Sequence, residues 1–307
     1  MQENQYALIC RLQKPQGKVN VVIDTDTYNE IDDQYALSYL IKSGQKLNLE
    51  AIYAAPFFNE KSSSPEDGME KSYHEIIKIL DLLDRNDLQK KVFKGSTRYL
   101  PDEATPVHSS AADDLAARAM KYTPEEPLYV IAIAAITNIA SAVLLNPAIK
   151  DRIVIIWLGG NSYSWHDNRE FNLSQDIAAA RVVFDSGAAM VQLPCMGVVS
   201  ALRTTGPELQ YWLKGKNKLC DYLLTVTEKE AIATKAGTCW SRAIWDVSAV
   251  AWLLDESGKY ILDRLEHSPI PEYDDHYSFD KQKNFIRYVY YLDRDAVFRD
   301  LFDKLSR

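Results

Sequence analysis

The chain has 307 residues, 47% apolar and 25% charged, the composition of a globular protein large enough for one sizeable core. A net charge of −8 without a basic stripe argues against nucleic acid as a partner, and no apolar run approaches the roughly 20 residues that span a membrane. The N-terminus lacks the features of a signal peptide, and Cys10, Cys195, Cys220 and Cys239 show no metal-binding spacing, so free thiols and a cytoplasmic location are expected.

In chain order, KVNVVID (18–24) is a β-rich run ending in polar residues. Helical spacing follows over 32–44, closed by Gly44 as a cap candidate. A strand at 49–55, a polar loop at 59–68 and a helix at 69–83 come next. A short strand at 92–95 and a helix opened by Ser at 109–120 lead to 127–134, which is continuously apolar, as a strand covered on both faces should be. A helix at 137–145, a buried strand at 152–160, a helix at 174–187 and a strand at 188–194 complete the alternation. Beyond 205 the pattern is mainly helical, with candidate strands near 283–292. This order predicts an α/β fold: one open, mostly parallel (mixed) sheet with helices on both faces, in a single domain over 1–307. In such sheets ligands bind beyond the carboxyl ends of the strands. Three polar clusters fall at such ends: Asp24 to Asp33, Thr137 with Asn138, and Gly159 through Asn172.

The first cluster is the most unusual. Asp24, Asp26, Glu30, Asp32 and Asp33 crowd one loop after an apolar run. Asp24 and Asp26, two apart, are expected on one side of the strand. Asp32 and Asp33 open the next helix, where the dipole favours negative charge. A helix cap and a solvated turn would account for one Asp. Converging carboxylates, however, raise one another's pKa values, and a hard divalent cation relieves the repulsion. The predicted cation is Ca²⁺, which takes about 6–8 oxygens, with Mg²⁺ as the smaller alternative.

DTDTYNEIDD (24–33) resembles the signature of the inosine/uridine-preferring nucleoside hydrolase family: Asp-x-Asp at a strand end, a tight loop, then an Asp pair opening a helix. The loop is two residues longer than the family's. AAITNIASAV (134–143), REFNLSQDIAAARVVF (169–184) and SRAIWDVSAVAWLL (241–254) are similar to further family segments, in the expected order over about residues 18–255. The resemblance implies a nucleoside-hydrolase-like fold. It also implies metal-dependent hydrolysis of the N-glycosidic bond of a ribonucleoside or related N-riboside, giving ribose and free base. Asp26, Asp33, the main-chain carbonyl of Thr137 and Asp246 would hold the metal, and Asp26 would also take the proton of the attacking water. Asp32, Asn59, Glu170 and Asn172 would bind ribose, with Asp176 supporting the loop and Leu158 against the sugar. A further ribose-binding Asn is assigned to Asn168, with Asn161 nearby. Trp245 stands where purine-preferring members carry His; its indole has no titratable proton but can stack on a base. His166 is therefore the first candidate for the leaving-group acid, ahead of His74, His108, Tyr28 and Tyr163. The implied partner is a small-molecule nucleoside or N-riboside, and the implied assembly a homodimer or homotetramer.

Two other readings are open at this point. VVIDTDT (21–27) with a later strand ending in Thr137 also fits a haloacid-dehalogenase-type phosphatase with Asp24 as nucleophile. Trp245 and the longer acidic loop also fit a catalytically degenerate chain that binds ribose or a nucleoside without turnover.

Overall fold

Runs rich in Val, Ile and aromatic residues form the centre of the protein, because such side chains fill a pleated surface buried on both faces. The computed structural model describes residues 2–235 and 239–307. The main-sheet strands are β1 (Val19–Thr25), β2 (Leu47–Ala54), β3 (Val92–Lys94), β4 (Leu128–Ala132), β5 (Ile153–Leu158) and β6 (Ala189–Leu193). Two short strands, β7 (Arg203–Thr204) and β8 (Arg242–Ala243), pair with each other. Beyond them come β9 (Ile261–His267), the hairpin partners β10 (Pro269–Pro271) and β11 (Tyr277–Phe279), and β12 (Phe285–Leu292).

The eight-stranded sheet has the order β3-β2-β1-β4-β5-β6-β12-β9. All its pairings are parallel except the last, between β12 and β9. The C-terminal third thus adds two strands to the sheet: β12 falls on the candidate strands near 283–292, whereas β9 lies where the sequence pattern reads as mainly helical. Charged residues in β9, such as Asp263, Arg264 and Glu266, mask it, because β9 lies at the partly exposed edge of the sheet.

The helices are α1 (Gln2–Arg11), α2 (Asp32–Lys42), α3 (Pro65–Leu82), α4 (Ser110–Arg118), α5 (Thr137–Leu145), α6 (Phe171–Gln175), α7 (Ile177–Asp185), α8 (Gly206–Leu213), α9 (Lys218–Lys235), α10 (Val247–Leu254) and α11 (Arg294–Leu305). They divide the core in two. Val21 and Ile23 of β1 pack on one face with residues of α2, α10 and α11, and Val22 packs on the other with residues of α4, α5 and α7. The start of α3 precedes its apolar stripe because Ser64 caps it, accepting from Asp67 N at 3.1 Å, with Pro65 at the first position. The helix expected over 174–187 is broken at Asp176, which caps α7 by accepting from Ala179 N at 3.0 Å. Among the described residues no helix is long and apolar enough to cross a membrane.

The chain returns on opposite sides of β1: β2 pairs with one edge and β4 with the other. Such a reversal leaves a crevice beyond the strand ends, where neighbouring connections diverge.

Candidate active site

The crevice opens where β1 stops. Asp24 is the last carboxylate still within the strand, and it faces the side of α5, where Asn138 Nδ2 donates to its Oδ1 at 2.7 Å. It is fully buried, and burial pushes its pKa up to about 7. The strand ends at Thr25, so the two-residue alternation expected to align Asp24 with Asp26 stops there. Asp26 lines a cavity of about 210 Å³, and Asp24 does not. A phosphorylated nucleophile must meet its substrate, so this placement overturns the haloacid-dehalogenase reading.

Asp26 shares the cavity floor with Asp32 and Asp33 from the first turn of α2 and with Asp246 from the residue before α10. All four are buried. One carboxylate oxygen from each of Asp32, Asp33 and Asp246 lies within 4.8 Å of the others. Hydrogen bonds to the floor are few. Thr25 Oγ1 donates to Asp33 Oδ1 at 2.5 Å and Trp245 N donates to Asp32 Oδ2 at 3.1 Å, while Asp26 Oδ2 is buried without a partner. Burial raises the pKa values of Asp26, Asp32 and Asp246 well above the ordinary range, and repulsion from neighbouring carboxylates adds to it. Burial pushes Asp33 up to about 7 against hydrogen bonds from Thr25 and Asp246. An orphaned carboxylate oxygen beside three oxygens in mutual reach is a donor set suited to a hard divalent cation. The residues present therefore fit such an ion.

The opposite wall comes from the loop after β5. Gly160, at φ +72°, turns the chain where Tyr277 Oη and Asn168 Oδ1 leave no room for a Cβ. Glu170 caps α6. Its Oε1 accepts from Asn172 N at 2.9 Å, and its Oε2 accepts from Gly160 N at 2.8 Å and Leu173 N at 3.0 Å. Asn172 donates through Nδ2 to Leu158 O at 3.0 Å. Glu170, Asn172, Leu158, Asn161 and Trp245 all line the cavity.

A family model described as inosine-uridine preferring nucleoside hydrolase matches residues 21–284. The chain belongs to this family. It is 25% identical over 195 residues to the pyrimidine-specific ribonucleoside hydrolase RihA of Escherichia coli O127:H6 (strain E2348/69 / EPEC), which covers 56% of this chain and 58% of RihA. It is 28% identical over 138 residues to probable uridine nucleosidase 2 of Arabidopsis thaliana, 44% of this chain and 42% of that protein. The chain thus spans about half the length of these curated relatives. A purine-preferring ribonucleoside hydrolase from Gardnerella vaginalis superposes with a TM-score of 0.77 at 21% identity, covering 94% of this chain and 98% of that one. At that identity the likeness establishes the fold, the mostly parallel sheet read from the sequence.

Within this nucleoside hydrolase frame the expected site residues separate into two groups. Asp26, Asp32, Asp33, Glu170, Asn172, Trp245 and Asp246 meet at one cavity. Asp32, expected as a sugar ligand, stands in mutual ligating reach of Asp33 and Asp246, whereas Asp26 lies beside that group. Thr137, Asn59, Asn168 and His166 do not line the cavity. Thr137 is the first residue of α5, and its hydroxyl donates to Asp176 Oδ2 at 2.6 Å; at this strand end the cavity wall is Ile133. Asn59 Nδ2 donates to Asn29 Oδ1 at 2.6 Å, so it supports a cavity residue of the longer acidic loop. Asn168 Oδ1 accepts from Asn161 N at 2.8 Å, leaving Asn161 at the wall and Asn168 behind it. His166 is 76% exposed and pairs with Asp167. A polar loop tip favours exposure, which sequence spacing cannot register.

The sequence reading missed Cys195 and Met196 at the wall. Both follow β6, and the rule that strand ends carry ligand contacts is the signal that finds them. It also missed how the longer loop is held: Arg242 pairs with Glu30 at 2.5 Å and with Glu230 at 2.8 Å, joining loop to α9.

Proposed function

We propose that this protein hydrolyses the N-glycosidic bond of a ribonucleoside or related N-riboside, with a divalent cation, Ca²⁺ ahead of Mg²⁺. The observation that carries the reading is the convergence of Asp26, Asp32 and Asp33 with the distant Asp246 in one buried, donor-poor cluster. Asp32, Asp33 and Asp246 would hold the ion, with Asp26 beside them and a main-chain carbonyl near Ile133 or Thr137 completing the oxygens. When bound, such an ion lowers the pKa of a water and orients sugar hydroxyls.

The chain's own groups account for the rest. Asp26, with an oxygen free of hydrogen bonds, takes the proton of the attacking water. Glu170 is locked by three main-chain amides and offers its remaining lone pairs to a sugar hydroxyl. Asn172 commits its amide nitrogen to Leu158, which turns its carbonyl oxygen to the same task. Positive charge developing on the sugar ring is stabilised by the carboxylate floor. Phe171 and Trp245 give the cavity aromatic walls for a base.

The reading extends to a homodimer or homotetramer. It also extends to a cytoplasmic location, which suits four cysteines that are all free thiols. No His lines the cavity among the described residues, which also suits a chain that binds ribosides without turnover. Base release over a panel of purine, pyrimidine and pyridinium ribosides, with Ca²⁺ and with EDTA, decides between the two. Release that EDTA abolishes supports hydrolysis; tight riboside binding with no release from any of them replaces it with the binding reading.

A further inference from the structure

Among the described residues the cavity holds no imidazole to supply the proton that a purine or pyrimidine riboside needs. A neutral base leaves as a poor anion unless a proton reaches it in the transition state, a contribution of about 10²–10⁴-fold. All five histidines lie elsewhere. His74 is exposed, His108 and His166 are more than 70% exposed, His276 is paired with Asp274 at the surface, and His267 stacks on Phe285 in β9. Tyr28 is outside the lining, and Tyr163 donates to Gln192 Oε1 at 2.8 Å. Glu30 lines the cavity but is held as an ion pair by Arg242. Cys195 hydrogen-bonds Glu170 and is a thiol whose pKa burial pushes well up, so it is a weak acid.

Charge points the same way. Six carboxylates line the cavity: Asp26, Glu30, Asp32, Asp33, Glu170 and Asp246. Among the described residues the one lining guanidinium, Arg169, has its Nε on Asp275 Oδ2 at 3.0 Å. Trp245, half-buried at the wall, is the best aromatic partner for a cation.

We infer that the preferred substrate is a riboside whose heterocycle already carries a positive charge, an N-ribosylpyridinium. This rests on the hydrolase reading above and names the substrate class of that site. When the C1′–N bond breaks, its electron pair goes to the ring nitrogen and neutralises the pyridinium, so the base departs with no proton delivered. The water oxygen bonds to C1′, its proton passes to Asp26 and then to solvent, and the products are ribose, a neutral pyridine and one proton. Water is the sole co-reactant. The acidic floor and the Trp245 face favour the cationic substrate over a neutral one of the same size.

The test uses the full chain with CaCl₂ and three probes: N-ribosylnicotinamide, inosine and uridine. The expected kcat/KM for the pyridinium riboside exceeds both others by about 100-fold or more, the advantage of needing no acid. Within a series of ring-substituted N-ribosylpyridiniums, kcat falls steeply as the pKa of the departing pyridine rises. Inosine or uridine cleaved as fast as the pyridinium riboside overturns this inference and leaves the hydrolase reading standing. A flat dependence on leaving-group pKa also overturns it, because a proton would then be reaching the base. Release of no base from any of the three overturns both readings.

Discussion

Glu170 and the acidic floor face each other across one cavity, equally buried, and differ in what surrounds the charge. Glu170 receives three main-chain N–H groups at the start of α6. Burial raises its pKa, and these bonds offset part of that rise. From outside itself the floor receives the Thr25 hydroxyl at Asp33 and the Trp245 main-chain N–H at Asp32, and Asp26 keeps an oxygen with no partner. There the neighbours of each carboxylate are mostly other carboxylates, which add to the desolvation penalty. The contrast teaches how to tell two kinds of buried acid apart. One with amide donors is a fastening whose burial the protein itself partly offsets; a group without them calls for a cation.

The sharpest way to break the comparison is at Asp33. Asp33→Ala is expected to lower riboside hydrolysis by about 10³-fold or more, the scale of losing an electrostatic centre at a reacting site. It should also remove the effect of Ca²⁺ on Tm, as read by base release and scanning fluorimetry. Full activity in this variant would contradict the ligand assignment.

Removing the cation tests the floor as a whole. With EDTA, stability should fall as pH rises from about 4 to about 7, since the folded floor carboxylates keep protons that the unfolded chain has already released. Adding Ca²⁺ at pH 7.5 to about 100 times its Kd should raise Tm by about 4 °C. A Tm in EDTA that climbs over the same pH range would count against a repulsive, ion-seeking floor.

Glu170→Gln should behave in the opposite sense. Weaker acceptance from the α6 amides costs about 1–3 kcal/mol in urea unfolding. The Ca²⁺-induced rise in Tm should persist, because the floor is intact. Loss of that rise would merge two environments that the structure separates. The smallest effect is expected at His166: an exposed loop residue changed to Ala should alter kcat/KM by less than about twofold.

Legibility followed locality. The strand-to-helix alternation up to residue 194 was readable because each element carries its own apolar period. The candidate strands near 283–292 met β12, but β9 was not readable, since an edge strand with charged residues has no pattern distinct from a surface helix. Asp32, Asp33, Glu170 and Asp246 were legible as residue types in spaced motifs. Asn161 against Asn168, and Ile133 against Thr137, were not, because only a short loop separates the members of each pair and its backbone turns decide which one meets the cavity.

The residues alone determined that acidic groups would gather at a strand end, that the sheet would be mostly parallel, and that no imidazole accompanies Asp246. Spacing and side-chain chemistry suffice for those statements, which concern neighbours in the chain. Only the tertiary structure decided that Asp24 turns to Asn138 while Asp26 turns to the cavity, and that Asp246 closes on Asp32 and Asp33. Those outcomes depend on where β1 ends and on how α10 packs against α2, which are properties of the assembled core.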